Sequence, residues 1–275
     1  MPLPILHSRQ GLNDSDLVRL FHRTEAAWVG QLAEGETLAI GTAYCNAELA
    51  RVWDANNVRD AALHDGLEAR DAVAELEEHY AKRGARCWYW VMNPSAEHER
   101  AAPLVAHLLE CGYRETRDEI QYLRNAAGAP ARDVAGVKVI PARASFRHVR
   151  MLMEEKVAER WGGDEQVLAG QLRHQDDPHW DALLALEGNR PVAYLGVLAV
   201  GEIGRIEGVY VAPEFRRRGI GRMMMGRALE ICARSLFKHV FLSVDPGNEA
   251  ALALYRQMGF EKLGELVTYR APRGS

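Results

Sequence analysis

Cysteine is scarce in this chain, with four among 275 residues, at positions 45, 87, 111 and 232. No two of them form a Cys-x-x-Cys pair, which argues against a disulfide framework or a zinc site and for reduced, buried thiols. No metal site is expected. An excess of one charge is also missing: 34 Lys and Arg stand against 38 Asp and Glu, a net charge of −4. That balance argues against general affinity for nucleic acid or a membrane surface. Long apolar runs are absent as well, since the longest, around Pro191–Gly201, is far too short to span a bilayer. With no stretch at the N-terminus resembling a signal peptide, the expectation is a cytoplasmic protein.

What remains is an ordinary globular composition, 48% hydrophobic and 26% charged, in a chain long enough for two domains. The charge is unevenly spread. Residues 1–130 hold 13 Lys and Arg against 20 Asp and Glu, whereas residues 131–275 hold 21 against 18. The more basic half carries the most informative stretch, RIEGVYVAPEFRRRGIG at Arg205–Gly221. Arg205–Val211 has the β-branched and aromatic content of a strand, and Pro213 cannot continue a ladder. Arg216, Arg217 and Arg218 follow, then Gly219, Ile220, Gly221 and Arg222. Beyond them Ile220, Met224, Ala228 and Ile231 recur at helical spacing. A helix N-terminus has unpaired N–H groups and a partial positive charge, and glycines there allow close approach by an anion. The chemical expectation is a pyrophosphate site.

The order Val211, Pro213, Arg216, Gly219, Gly221 resembles the signature of the GNAT superfamily of N-acetyltransferases. Asn248–Phe260, NEAALALYRQMGF, resembles that family's second signature. The resemblance is closest over Arg205–Phe260 and extends over residues 137–275. It implies acetyl-CoA, or another acyl-CoA, as the donor. Arg216, Arg217, Arg218, Gly219, Ile220, Gly221 and Arg222 would hold the pyrophosphate. Val209, Tyr210 and Val211 would line the pantetheine arm, and Asn248 would touch it while capping its helix.

Moving an acyl group to an amine requires removal of a proton from an ammonium with a pKa near ~10, a donor for the developing oxyanion and a proton for the departing thiolate. Glu207 precedes the turn among Ile206, Val209 and Tyr210. Strand alternation would place it on the face of Val209 and Val211, in surroundings that invite a raised pKa. It is the candidate base. By resemblance, Tyr255 is the candidate acid and the Val209 N–H polarises the thioester carbonyl. The expected reaction is direct transfer to a primary amine of a small molecule. A carrier-protein donor, with an acyl carrier protein as partner, and a non-catalytic acyl-CoA-binding module are the alternatives. Trp161, His179 and Trp180 are candidates for acceptor contacts, with packing or solvation as their plainer roles.

The first half repeats the element order of the second. A helix follows Ser15 and Asp16, then strands at Thr37–Cys45 and Glu48–Trp53, a long helix over Asp60–Arg83, a strand at Arg86–Met92, a helix at Ala101–Cys111 and a strand at Glu119–Leu123. LLECGY at Leu108–Tyr113 stands where YRQMGF stands at Tyr255–Phe260. Trp53–Asp60, WDANNVRD, takes the position of the phosphate turn without its glycines. The expectation is therefore an α/β chain of tandem GNAT folds, each with a mixed, mostly antiparallel sheet flanked by helices and a splayed parallel strand pair. Residues 1–125 would form a degenerate copy, Asn125–Gly136 a linker and residues 137–275 the catalytic domain.

Overall fold

The computed structural model describes residues 12–124 and 132–272. Its elements, in chain order, open with helix α1 (Asp14–Gly30) and the strands β1 (Gly35–Leu38), β2 (Gly41–Tyr44) and β3 (Asn57–Ala61). Helix α2 (Ala69–Lys82), β4 (Tyr89–Met92), α3 (His98–Glu110) and β5 (Arg114–Leu123) complete the first set. The second set is β6 (Val137–Pro141), α4 (Phe146–Trp161), α5 (Glu165–Arg173), β7 (Trp180–Glu187), β8 (Arg190–Val200) and β9 (Ile203–Val211). It closes with α6 (Ile220–Arg234), β10 (His239–Val244), α7 (Glu249–Gln257) and β11 (Phe260–Arg270).

Two compact units form, and neither is a contiguous stretch of chain. The C-terminal unit joins the chain up to Thr24 to Glu119–Gly264, and the N-terminal unit joins Glu25–Asp118 to the chain from Glu265. The crossings fall inside α1, β5 and β11; of the linker expected over 125–136, residues 125–131 lie outside the described part. For the two strands backbone pairing is the reason. The second half of β5 is held by β10, with Phe241 opposite Tyr122 and Val244 opposite Glu119. The second half of β11 is held by β4, with Tyr269 opposite Trp90.

In the C-terminal unit the strands run β11-β5-β10-β9-β8-β7-β6. The β6–β9 meander is antiparallel. Strand β10 lies parallel to β9 because α6 crosses over between them. Buried Met223, Met224, Met225, Ala228 and Cys232 of α6 and Val149, Leu152, Met153 and Val157 of α4 supply the helical part of the core. In the N-terminal unit the order is β1-β2-β3-β4-β11-β5, and β3 and β4 are likewise parallel across α2. Its core gathers Val58, Leu76, Tyr80, Trp90, Leu104, Leu108 and Tyr269.

Four expectations for the first half change; the strand expected at Thr37–Cys45 is a hairpin of β1 and β2, with Leu38 opposite Gly41. The stretch Glu48–Trp53 is not a strand but lies across two 3-10 turns, Ala47–Leu49 and Trp53–Ala55. The buried Asn56 amide donates to the carbonyls of Leu49 and Val52, so those carbonyls close turns instead of joining a ladder. The helix expected from Asp60 starts only at Ala69, since Asp60 belongs to β3 and Gly66 turns the chain at φ +83. The spacing of Leu63 and Leu67 imitates a helix there, yet the Leu63 N–H bonds to the Arg100 carbonyl. Helix α1 begins before Ser15, because the Asn13 side chain accepts from the Asp16 N–H while Asp16 accepts from the Asn13 N–H, a reciprocal cap. Strand β11 carries no alternation strong enough to have been expected.

Candidate functional site

The turn from β9 into α6 is built from backbone. Pro213–Phe215 makes one 3-10 turn, and Arg217 and Gly219 both take left-handed conformations, φ +64 and +84. Gly219 is the N-cap of α6 and offers no side-chain oxygen to the first helical N–H groups. Those groups have no intrahelical acceptor, so they are available to an anion. A Cβ on Gly221 would meet only Leu254 and Val211 side chains at ordinary contact distances of 3.6 and 3.7 Å. The protein interior therefore does not require glycine at 221, whereas close approach of a phosphate would. These features fit a nucleotide pyrophosphate.

The arginine side chains contribute less than their number suggests. Arg216 Nη2 donates to both carboxylate oxygens of Glu159, at 2.7 and 3.0 Å, and its Nε donates to the Val211 carbonyl. Arg218 pairs with Glu187 and lies over the Phe215 ring. Arg222 donates to Gln257.

Beside the turn, β9 and β10 separate. Their pairing ends at Arg205 and Phe241, although β9 continues to Val211 and β10 to Val244, still held by β5. A bulge accompanies the separation. Gly208, at φ +68, is the extra residue where Glu207 lies opposite Gly196 but Tyr210 lies opposite Tyr194. The bulge breaks strict alternation. Glu207 shares a face with Tyr210 and Arg205 and not, as alternation predicted, with Val209 and Val211. Its surroundings also differ from the apolar setting expected. Arg205, only 3% exposed, pairs with the Glu207 carboxylate through Nε at 2.8 Å and through Nη2. A guanidinium so placed favours the ionised carboxylate.

Tyr255 projects from α7 and is buried. It packs near Phe260, with ring centroids 6.1 Å apart, so its packing role is real. Its hydroxyl also feels the charges of Glu207 and Arg160. Burial and then Glu207 raise its pKa, with Arg160 opposing, which keeps the phenol protonated at neutral pH. Asn248 caps α7 by accepting from the Ala251 N–H. The base and acid candidates thus lie in one unit within electrostatic reach of each other.

Several neighbours carried no motif and were missed by sequence reading. Glu159 of α4 accepts from the Tyr210 hydroxyl at 2.8 Å as well as from Arg216. Burial pushes its carboxyl up, and those hydrogen bonds more than offset the effect. Lys156, one turn earlier and 5% exposed, donates to Gln171 of α5 at 2.7 Å. Burial, with Arg160 beside it, lowers its pKa to about 8. His174 is buried and held neutral, its pKa lowered to about 3 by burial and then by Lys156 and Arg205. A charged residue at a buried helical position was the available signal. Among the acceptor candidates, Trp180 is core and donates to the Tyr194 hydroxyl at 2.9 Å. His179 is bonded to Asp177 at the surface, and Trp161 is exposed near Lys156.

The N-terminal unit repeats the scaffold with other residues at the matching positions. Its β3 bulges between Val58 and Ala61 at Asp60, φ +54, and pairs again with β4 at Met92. The residue just before that bulge, matching Glu207, is Arg59, buried in a pair with Glu25 at 2.7 Å and hydrogen-bonded to Tyr89. Leu108 stands where Tyr255 stands. The turn between β3 and α2 is Ala62–Glu68, not Trp53–Asp60, and it has a single glycine, Gly66. The Trp53 loop is structural: Trp53 stacks on Trp88, and Asp54 accepts from Trp28 and Tyr89. An open pocket of about 490 Å³ in this unit is lined by Asp60, His64, Asn93, Glu97 and Arg100. It has no glycine-lined phosphate turn.

Residues 148–260 match the model of the acetyltransferase (GNAT) family. Over 226 residues, 80% of this chain, the protein is 28% identical to a mycothiol acetyltransferase of Rhodococcus jostii, 64% of which is covered. The first curated relatives are matched over 24% to 66% of their own length. A GCN5-related N-acetyltransferase from Kribbella flavida superposes with a TM-score of 0.61 at 17% identity, covering 93% of this chain and 95% of that one. A tandem GNAT protein from the clavulanic acid biosynthesis pathway superposes with a TM-score of 0.55 at 18% identity, covering 80% and 76%. At those identities the structural likeness establishes the fold, a tandem α/β arrangement.

Proposed function

From a chain whose residues 148–260 belong to the acetyltransferase (GNAT) family, we propose an acyl-CoA-dependent N-acyltransferase, most simply an acetyltransferase, that acts on a primary amine of a small molecule. The observation that carries this reading is a coincidence in one unit. The uncapped, glycine-led N-terminus of α6 adjoins the separated strands β9 and β10, with Glu207 and Tyr255 beside them. The N–H groups around Gly219, Ile220 and Gly221 would hold the pyrophosphate, and the backbone of Val209–Val211 would hold the pantetheine arm. Acyl-CoA supplies the acyl group activated as a thioester.

The chain's own residues manage protons and charge. Glu207, ion-paired with Arg205, accepts the ammonium proton through water. The Val209 N–H is a donor for the acyl oxygen. Tyr255, protonated at neutral pH, returns a proton to the leaving sulfur. In the N-terminal unit Arg59 and Leu108 replace the base and the acid, so that unit serves as scaffold.

Calorimetric titration of acetyl-CoA tests the reading. One site per chain is expected, abolished by Gly219→Glu, because the substitution places a carboxylate and a strained φ where the phosphate would sit. Two sites would overturn the assignment of the N-terminal unit, and no site would overturn the donor.

A further inference from the structure

The reaction needs no buried lysine on α4, yet Lys156 is there with one amide oxygen for its three donors. Burying an ammonium without a carboxylate is costly, and the cost persists unless something of opposite charge offsets it. The groups that face Lys156 are few. From its own helix come Arg160 and the Trp161 ring, whose centroid is 5.9 Å from Nζ, from β9 the pair Arg205 and Glu207, from α5 Gln171 and from the following turn His174. Glu207 is claimed by Arg205, and His174 stays neutral. The nearby carboxylate of Glu159 is claimed by Arg216 and Tyr210. Counting Glu159 and Arg216, which reach the same group through Arg160, four cations (Arg205, Lys156, Arg160 and Arg216) thus oppose two carboxylates. Arg160 also reaches the Tyr255 hydroxyl electrostatically and lies over the Tyr210 ring at 5.5 Å.

We infer that the amine acceptor carries a carboxylate, received by Lys156 and Arg160 while its amine faces Glu207. This rests on the reading of Glu207 and Tyr255 as the reacting pair. The same excess of positive charge repels polycationic amines. It also lowers the pKa of an ammonium brought to Glu207, which eases its deprotonation. The arrangement therefore selects and activates an amino-acid-like acceptor with one set of charges.

Acceptor pairs that differ by one carboxylate provide the test: L-lysine with cadaverine, L-phenylalanine with phenethylamine and L-tyrosine with tyramine. Each is assayed for acetylation at saturating acetyl-CoA and titrated calorimetrically into the CoA-loaded protein. The carboxylate alters the amine's own pKa, so the decisive quantity is the change in the within-pair ratio when Lys156 is replaced. A charge-assisted contact predicts a ratio about tenfold or more in favour of the carboxylate in the parent protein. The ratio should fall toward one in Lys156→Met, recover partly in Lys156→Arg and drop by a smaller factor in Arg160→Gln, whose exposed site tolerates change. Equal or weaker binding of the carboxylate members, or a ratio that Lys156→Met and Arg160→Gln both leave unchanged, overturns the inference. Protein that binds acetyl-CoA yet shows either result loses the inference alone, whereas protein that binds no acetyl-CoA loses the proposed function with it.

Discussion

At the residue scale the site depends on who holds each charge. The Glu207 carboxylate, the proposed base, is held in an ion pair by buried Arg205. Replacing Glu207 with Gln should lower kcat by about 100-fold or more, in the range expected for loss of a general base, with acetyl-CoA affinity unchanged. Unchanged kinetics would remove Glu207 from the mechanism. Tyr255→Phe keeps the ring against Phe260 and removes only the hydroxyl. Slower thiol release with unaltered acetyl-CoA affinity is expected, and weakened binding instead would reduce Tyr255 to packing. Lys156 gives a signature in stability. Its folded pKa of about 8 lies below the ordinary 10.5. Between those values the unfolded chain binds more protons, so the Lys156 contribution to the unfolding free energy rises with pH across that window. Below about pH 8 the burial penalty is present in full. Urea midpoints measured from pH 7 to 10 should climb more steeply in the parent protein than in Lys156→Met.

At the element scale two glycines shape the wall of the site. Gly208 makes the bulge that turns Glu207 away from Val209, and its left-handed φ disfavours any β-branched replacement. Gly196, on the neighbouring strand, lies under the Trp180 ring, whose Cζ2 would stand 2.2 Å from an added Cβ. Gly196→Ala should therefore destabilise the C-terminal unit by about 1–3 kcal/mol through overpacking, read as a lowered denaturant midpoint. An unaffected midpoint would mean that Trp180 can move, and that its bond to Tyr194 does not fix it. The turn after β9 was readable in advance because its signals are local: proline, basic residues and glycines in a fixed order. The bulge was not, since a Gly inside a strand pattern is compatible with several backbone paths, and only its partner strand selects one.

For the whole molecule, chain order and compact units part company. The last strand completes the N-terminal unit: Tyr269 and Ala271 are buried there, and the Ala271 N–H bonds to the Trp88 carbonyl. Ending the chain after Gly264 should uncover Trp90 and Tyr89 on β4 and unfold the N-terminal unit, visible as loss of amide protection over residues 57–113. Retained protection would show that β11 is dispensable to that unit. Element order along the first half suggested the repeat correctly, while the ends of its elements were misplaced at the Trp53 loop. There the side chains of Asn46, Asn56 and Asn57 hold tight turns that hydrophobic periodicity does not encode.

The sequence by itself determined what depends on near neighbours: a strand, a stop, a glycine-led helix N-terminus, a tyrosine seven residues past a capping asparagine, and a second half built like the first. Tertiary structure alone decided what depends on distant partners. It placed Arg205 on the Glu207 carboxylate, buried Lys156 beside it and put Arg59 in the matching place of the other unit. It also sent β5 and β11 from one unit into the other. Local signals act through fixed backbone offsets, which a sequence displays. Charge pairing and strand partnership are set by where the chain returns, and that is fixed only when distant segments meet.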